Sequence, residues 1–155
     1  RVAQALGARL AEIDPDHAAA YRARLTDFNT RWNAAMARWQ TRSAPLRGMS
    51  IVVQHQAFPY LENWLGLKQV AVLEPKPGVE PSVGHLAEVA ARLKTAPARA
   101  ILRAAYQDPR PSEWLAEHAG IPFVVLPFTV GGSDSSKDLF GLFDDTLEQL
   151  LKAAR

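Results

Sequence analysis

From residue 47 onward the chain alternates short, largely apolar runs with stretches of helical period, and this alternation restricts the fold more than any other feature. The runs are Ile51–Val53, Gln69–Leu73, Ala100–Leu102 and Ile121–Leu126. Between and after them, Phe58, Leu61, Trp64 and Leu65 share one helical face, and Leu86, Val89, Ala90 and Leu93 share another. Pro111–Ala119 reads as a further helix, capped by Ser112 or by the turn before it. A closing helix carries Leu139, Leu142, Phe143, Leu147, Leu150 and Leu151. Strands without polar alternation are buried on both faces, and strand–helix–strand succession joins parallel strands by right-handed crossovers. The expected fold class is therefore α/β: a four-stranded parallel sheet with helices on both faces, preceded by a long helical segment.

That segment occupies the first third of the chain. Val2, Leu6, Leu10 and Ile13 recur at helical spacing, already running at Arg1 without a capping residue, so residues 1–13 are expected to be the tail of a helix in something longer. Asp14 is a suitable N-cap and Pro15 suits the first helical position. Tyr21, Leu25, Phe28, Trp32, Met36 and Trp39 then hold the period to about Arg42, a stripe that reads as core packing. Such a helix would be on the order of 40 Å long. Ser43–Gly48 breaks it. The expected organisation is a linking-helix tail and long helix over 1–46 and an α/β lobe over 47–155.

With 48% hydrophobic and 22% charged residues, the chain can bury a core like an ordinary globular protein. A net charge of +2 with no Lys/Arg block argues against nucleic acid. The absence of cysteine rules out disulfides and thiolate metal sites within these residues. No apolar run approaches the roughly 18 residues of a membrane-spanning helix.

In open parallel sheets, ligands bind outside the carboxyl ends of the strands. Those ends carry His55, Glu74, Tyr106 with Asp108, and Thr129–Asp134. Histidine and carboxylates from separate strand ends suit a divalent metal of the zinc or manganese kind. Each has a plainer role available: His55 as a helix-capping or packing residue, Glu74 as a turn residue bonded to backbone. His17, His85 and His118 fall in helical patterns, the last two on faces expected to be solvated, and carry little weight as ligands. The Gly131-Gly132-Ser133-Asp134 loop could present backbone N–H groups to an anion, but it lacks the spacing of phosphate loops. Ser133, Ser135 and Ser136 have no nucleophile context.

The segment Val52–Val70 (VVQHQAFPYLENWLGLKQV) resembles the first strand and helix of the C-terminal lobe of metal-binding receptors for zinc and manganese ABC importers. The motif is His55-Gln56-Ala57-Phe58-Pro59-Tyr60-Leu61. The Asp14-Pro15 before the long helix, Glu80-Pro81-Ser82 and Gly120-Ile121-Pro122 follow in the family's order. The resemblance implies a two-lobed periplasmic receptor of about twice this length, not an enzyme, that captures Zn2+ (alternatively Mn2+) between its lobes and delivers it to a membrane permease. This chain would be the C-terminal lobe, with the N-terminal lobe and its histidines missing. Its metal ligands would be His55 and, less directly, Asp134. The family's acidic ligand after the last strand is matched here by Val130, which cannot coordinate, and a glutamate often found after the third strand by Ala104 or Ala105. A cleft face without its partner lobe would expose apolar surface and could self-associate. Two other readings compete: a small flavodoxin-like domain that binds an anionic ligand or acts as a transferase, and a lobe serving only as an interaction module.

Overall fold

The computed structural model describes residues 1–155. They form two compact units, Arg1–Arg38 and Trp39–Arg155, and the division falls inside one continuous helix. The first unit contains α1 (Val2–Ile13), a 3-10 turn (Pro15–His17) and most of α2 (Ala18–Arg42). Asp14 stands at the N-cap of the 3-10 turn with Pro15 at its start, as expected, but its side chain makes no capping hydrogen bond there. Its carboxylate instead accepts from Tyr21 Oη (2.7 Å) and meets His17 Nδ1 (2.9 Å), which holds it below its ordinary pKa through His17 first and Tyr21 second. The aromatic stripe also departs from expectation. Tyr21, Leu25, Phe28 and Trp32 are only half-buried and Met36 is exposed. Phe28 and Trp32 stack on each other at 5.7 Å between ring centres.

The second unit holds the last turn of α2, a 3-10 turn (Ala44–Leu46), and then β1 (Ser50–Val53), α3 (Pro59–Leu65), β2 (Lys68–Val72), α4 (Val83–Leu93), β3 (Ala100–Ala104), α5 (Arg110–Ala119), β4 (Phe123–Leu126) and α6 (Leu139–Ala153). All strand pairs are parallel, in the order β2-β1-β3-β4. This is the α/β fold with a four-stranded parallel sheet that the apolar runs predict. Val52, Ala71 and Ile101 project from one face into a core with Leu86, Val89 and Leu93 of α4 and Leu115 of α5. On the other face Trp39 stacks on Phe143 of α6 (4.8 Å), and Trp64 of α3 meets the same ring edge-on (5.8 Å). Both faces are thus covered by helices. The exception is β4, the most apolar run in the sequence: it is an edge strand, and Phe123 and Val125 alternate out of the core.

Local chemistry sets the element ends. Gly66 and Gly120 terminate α3 and α5 in the left-handed conformation, where a Cβ is costly. Ser82 and Asp138 cap α4 and α6 by accepting from His85 N and Gly141 N. Ser112 does not cap α5; the turn before the helix does so, with Asp108 Oδ1 accepting from Arg110 N (3.0 Å). Ser112 is fully buried and donates to Gln54 Oε1.

The strand order places the site. From β1 the chain crosses to β2 on one side, then returns to β3 on the other. The reversal opens a crevice beyond the carboxyl ends of β1 and β3, where ligands of such sheets bind.

Candidate metal centre

The residues just past β1 and β3 are Gln54-His55 and Ala105-Tyr106-Gln107-Asp108. All of these but Ala105 line a cavity of about 340 Å³ together with Glu74 and Glu80. His55 arrives there because β1 ends at Val53 and the chain turns before α3 begins at Pro59. Glu74 arrives by register. Val53 pairs with Val72, Leu73 N donates to Val53 O (2.9 Å) and Glu74 N to Gln54 O (3.0 Å), so the two strands stay in step past their ends. Side chains at matched positions of neighbouring strands point the same way. The outcome is a 2.6 Å contact between His55 Nδ1 and Glu74 Oε2. His55 therefore does not cap α3, and Glu74 is more than a turn residue, although its carboxylate also accepts from Gly78 N (3.3 Å).

The floor of the cavity is tied down by Gln54, which is buried and donates through Nε2 to Asp108 O (2.8 Å) while accepting from Ser112. Asp108 is paired with the Arg110 side chain, which holds its carboxyl below the ordinary value. Arg110 also lies 3.6 Å from Glu80. Of the acids around the cavity, only Glu74 faces a histidine.

The rest of the strand-end set is placed differently. Ala104 is buried in β3 and Ala105 is exposed; what β3 presents at the crevice is Tyr106. Tyr106 packs edge-on against Phe128 (5.1 Å), which meets Phe58 at 6.1 Å. This aromatic trio spans the ends of β1, β3 and β4, and no local sequence pattern encodes it. Phe128 holds it together from a left-handed backbone (φ 62°), a conformation that costs a bulky residue free energy.

Val130 and Asp134 lie beyond it in the loop before α6, both exposed. The loop folds back on itself: Gly131 N donates to Ser136 O (2.7 Å), Gly132 N to Thr129 O (3.0 Å) and Ser133 N to Ser136 Oγ (2.9 Å). Those N–H groups are spent inside the loop, so it is not an anion cradle. Ser133 Oγ also donates to the buried Asp145 of α6 (2.5 Å), and Ser136 is fully buried. Asp134 is not part of the cavity that holds His55.

Three or more His, Asp or Glu side chains are nowhere gathered closely enough to hold a metal ion. His85, expected on a solvated face, is half-buried with Nε2 3.4 Å from Val72 O, because α4 lies over β2. His118 is exposed, as expected, and stacks on Trp114. His17 belongs to the Asp14 cluster.

Comparison with known proteins agrees with this architecture. A protein from Bacillus subtilis (strain 168) described as "High-affinity zinc uptake system protein ZnuA" is 25% identical over 148 residues, 96% of this chain but 46% of that protein. The laminin-binding protein Lbp of Streptococcus pyogenes superposes with a TM-score of 0.73 at 24% identity, over 96% of this chain and 59% of that one. The solute-binding protein FpvC from Pseudomonas aeruginosa, in complex with Mn2+, superposes with a TM-score of 0.68 at 22% identity, over 95% of this chain and 57% of that one. The chain thus spans about half the length of the relatives it matches. The model of the family described as "Zinc-uptake complex component A periplasmic" matches residues 1–153, and the chain belongs to that family.

Proposed function

We propose that this chain is the C-terminal lobe of an extracytoplasmic receptor that binds a divalent transition metal, zinc foremost and manganese as the alternative, and hands it to an ABC importer permease. Residues 1–46 would be the end of the linking helix and the long helix beside it, and 47–155 the lobe. Its work is binding, with no catalytic step. The observation that carries the reading is His55: it stands at the end of β1, in the crevice of a family member's sheet, with Nδ1 engaged by Glu74 and Nε2 without a partner. An imidazole nitrogen so placed is a ligand suited to zinc, and further ligands would come from the half of the receptor outside this chain. Asp134 is retained as a candidate ligand that a rearranged loop would have to bring in. The anion-binding alternative is not favoured, since the Gly-Gly loop uses its own N–H groups.

The test is a competition titration of zinc against a chelating dye with the two-lobed receptor and its His55→Ala variant. Loss of one of four ligands is expected to weaken zinc at least about tenfold, the effect that even an outer partner of a ligand can exert. Equal affinities would remove His55 from the ligand set.

A further inference from the structure

Glu74 sits where a histidine ligand would be oriented. Its Oε2 lies 2.6 Å from His55 Nδ1, and the two side chains are 20% and 31% exposed, sheltered enough for the contact to persist against water. Glu74 is itself held: its own N–H is bonded to Gln54 O, continuing the β1–β2 pairing, and Gly78 N donates to the same Oε2. A carboxylate can only accept, so the proton of a neutral His55 ring must be on Nδ1 and the lone pair on Nε2. Histidines that bind metals commonly give their second N–H to a carboxylate, which fixes tautomer and ring orientation and raises ligand basicity.

We infer that Glu74 is a positioning residue: it locks His55 in the Nδ1–H tautomer and presents Nε2 to the incoming cation, without itself entering the coordination shell. This rests on the reading of His55 as a metal ligand. Nothing else near the ring competes for the role. Asp108 is taken by Arg110, and Glu80 lies on the Arg110 side of the cavity. The 2.6 Å contact also leaves no room for an ion between Nδ1 and Oε2, because zinc–nitrogen and zinc–oxygen bonds are each about 2 Å long.

Three variants of the two-lobed receptor separate the possibilities: Glu74→Ala, Glu74→Gln and His55→Ala. Glutamine keeps an acceptor oxygen for Nδ1–H but is a poor zinc ligand. Glu74→Ala is expected to weaken zinc about 10–100-fold, and Glu74→Gln to recover most of that loss. Equal losses in the two Glu74 variants would make Glu74 a direct ligand, and no loss in either would make it structural; both outcomes overturn the proposal. A second readout does not involve metal. Long-range 1H–15N spectra of the metal-free receptor are expected to show His55 protonated on Nδ1 in the parent and in Glu74→Gln, with mixed tautomers in Glu74→Ala. A parent ring protonated on Nε2 overturns the lock whatever the affinities are. Unchanged zinc binding in His55→Ala, with the Nδ1–H tautomer observed in the parent, would instead refute the ligand reading while leaving the lock itself in place.

Discussion

Gly132 is the residue whose identity the structure dictates most directly. A Cβ at this position would lie 1.8 Å from Pro127 O, and the obstacle is backbone that cannot rotate away. Gly131, its neighbour, has a left-handed φ of 81° but open space around it. The two glycines therefore fail differently. Gly131→Ala should cost only the conformational penalty, about 1 kcal/mol. Gly132→Ala forces the loop off the end of β4 and should cost more, toward about 3 kcal/mol, as overpacking does. Urea unfolding of the two variants checks this: the midpoint should fall further for Gly132→Ala at unchanged slope. Similar midpoints would mean that the loop yields freely. In the sequence the Gly-Gly pair announces only a turn. That one glycine serves its conformation and the other a close approach depends on the Pro127 carbonyl, five residues back, and no local pattern encodes that.

Elements were easier to read than their neighbours in space. The apolar runs marked all four strands to within a few residues, because a buried parallel strand has no polar face to confuse the pattern. Register was not legible. The pairing of Val53 with Val72, which carries His55 to Glu74, joins two strands separated by α3, and neither strand's local pattern encodes it. The same holds for the end of α2. Its stripe looked uniformly core-like, yet only the last member, Trp39, is completely buried. Its ring stacks on Phe143, and its Nε1–H donates to Asp144 (2.8 Å), which also accepts from Arg42 (2.9 Å). Trp39 thus anchors this last turn to α6. Trp39→Ala should destabilise the α/β unit by about 3–5 kcal/mol, the range for deleting a large buried aromatic. Met36→Ala, one turn earlier and exposed, should cost well under 1 kcal/mol as a surface change. Unfolding followed by near-ultraviolet circular dichroism distinguishes them, and comparable losses would show that the stripe is packed along its whole length.

At the scale of the whole molecule, the decisive fact is that a family of metal receptors is represented here by a chain in which no three potential ligands converge. On the proposed reading, one imidazole nitrogen oriented by a carboxylate would be an incomplete site for an ion that structural sites surround with four ligands. The His55 ring is nonetheless held, with β1 and β2 in register, Nδ1 2.6 Å from Glu74 Oε2 and the adjoining loop tied to Asp108 O by Gln54. Rigid partial sites of this kind suit capture between two bodies: the ion completes its shell only when the second body arrives, so binding and closure reinforce each other. The 155-residue chain alone should therefore remain unsaturated at zinc concentrations that fill the two-lobed receptor, and its unfolding should shift little on adding zinc. The longer receptor should be stabilised in proportion to the logarithm of the zinc concentration once the site is filled. Parallel dye-competition and thermal-unfolding titrations of the two proteins make the comparison. Tight zinc binding by the short chain would mean that the missing ligands lie within it, with Asp134 the first to replace by alanine.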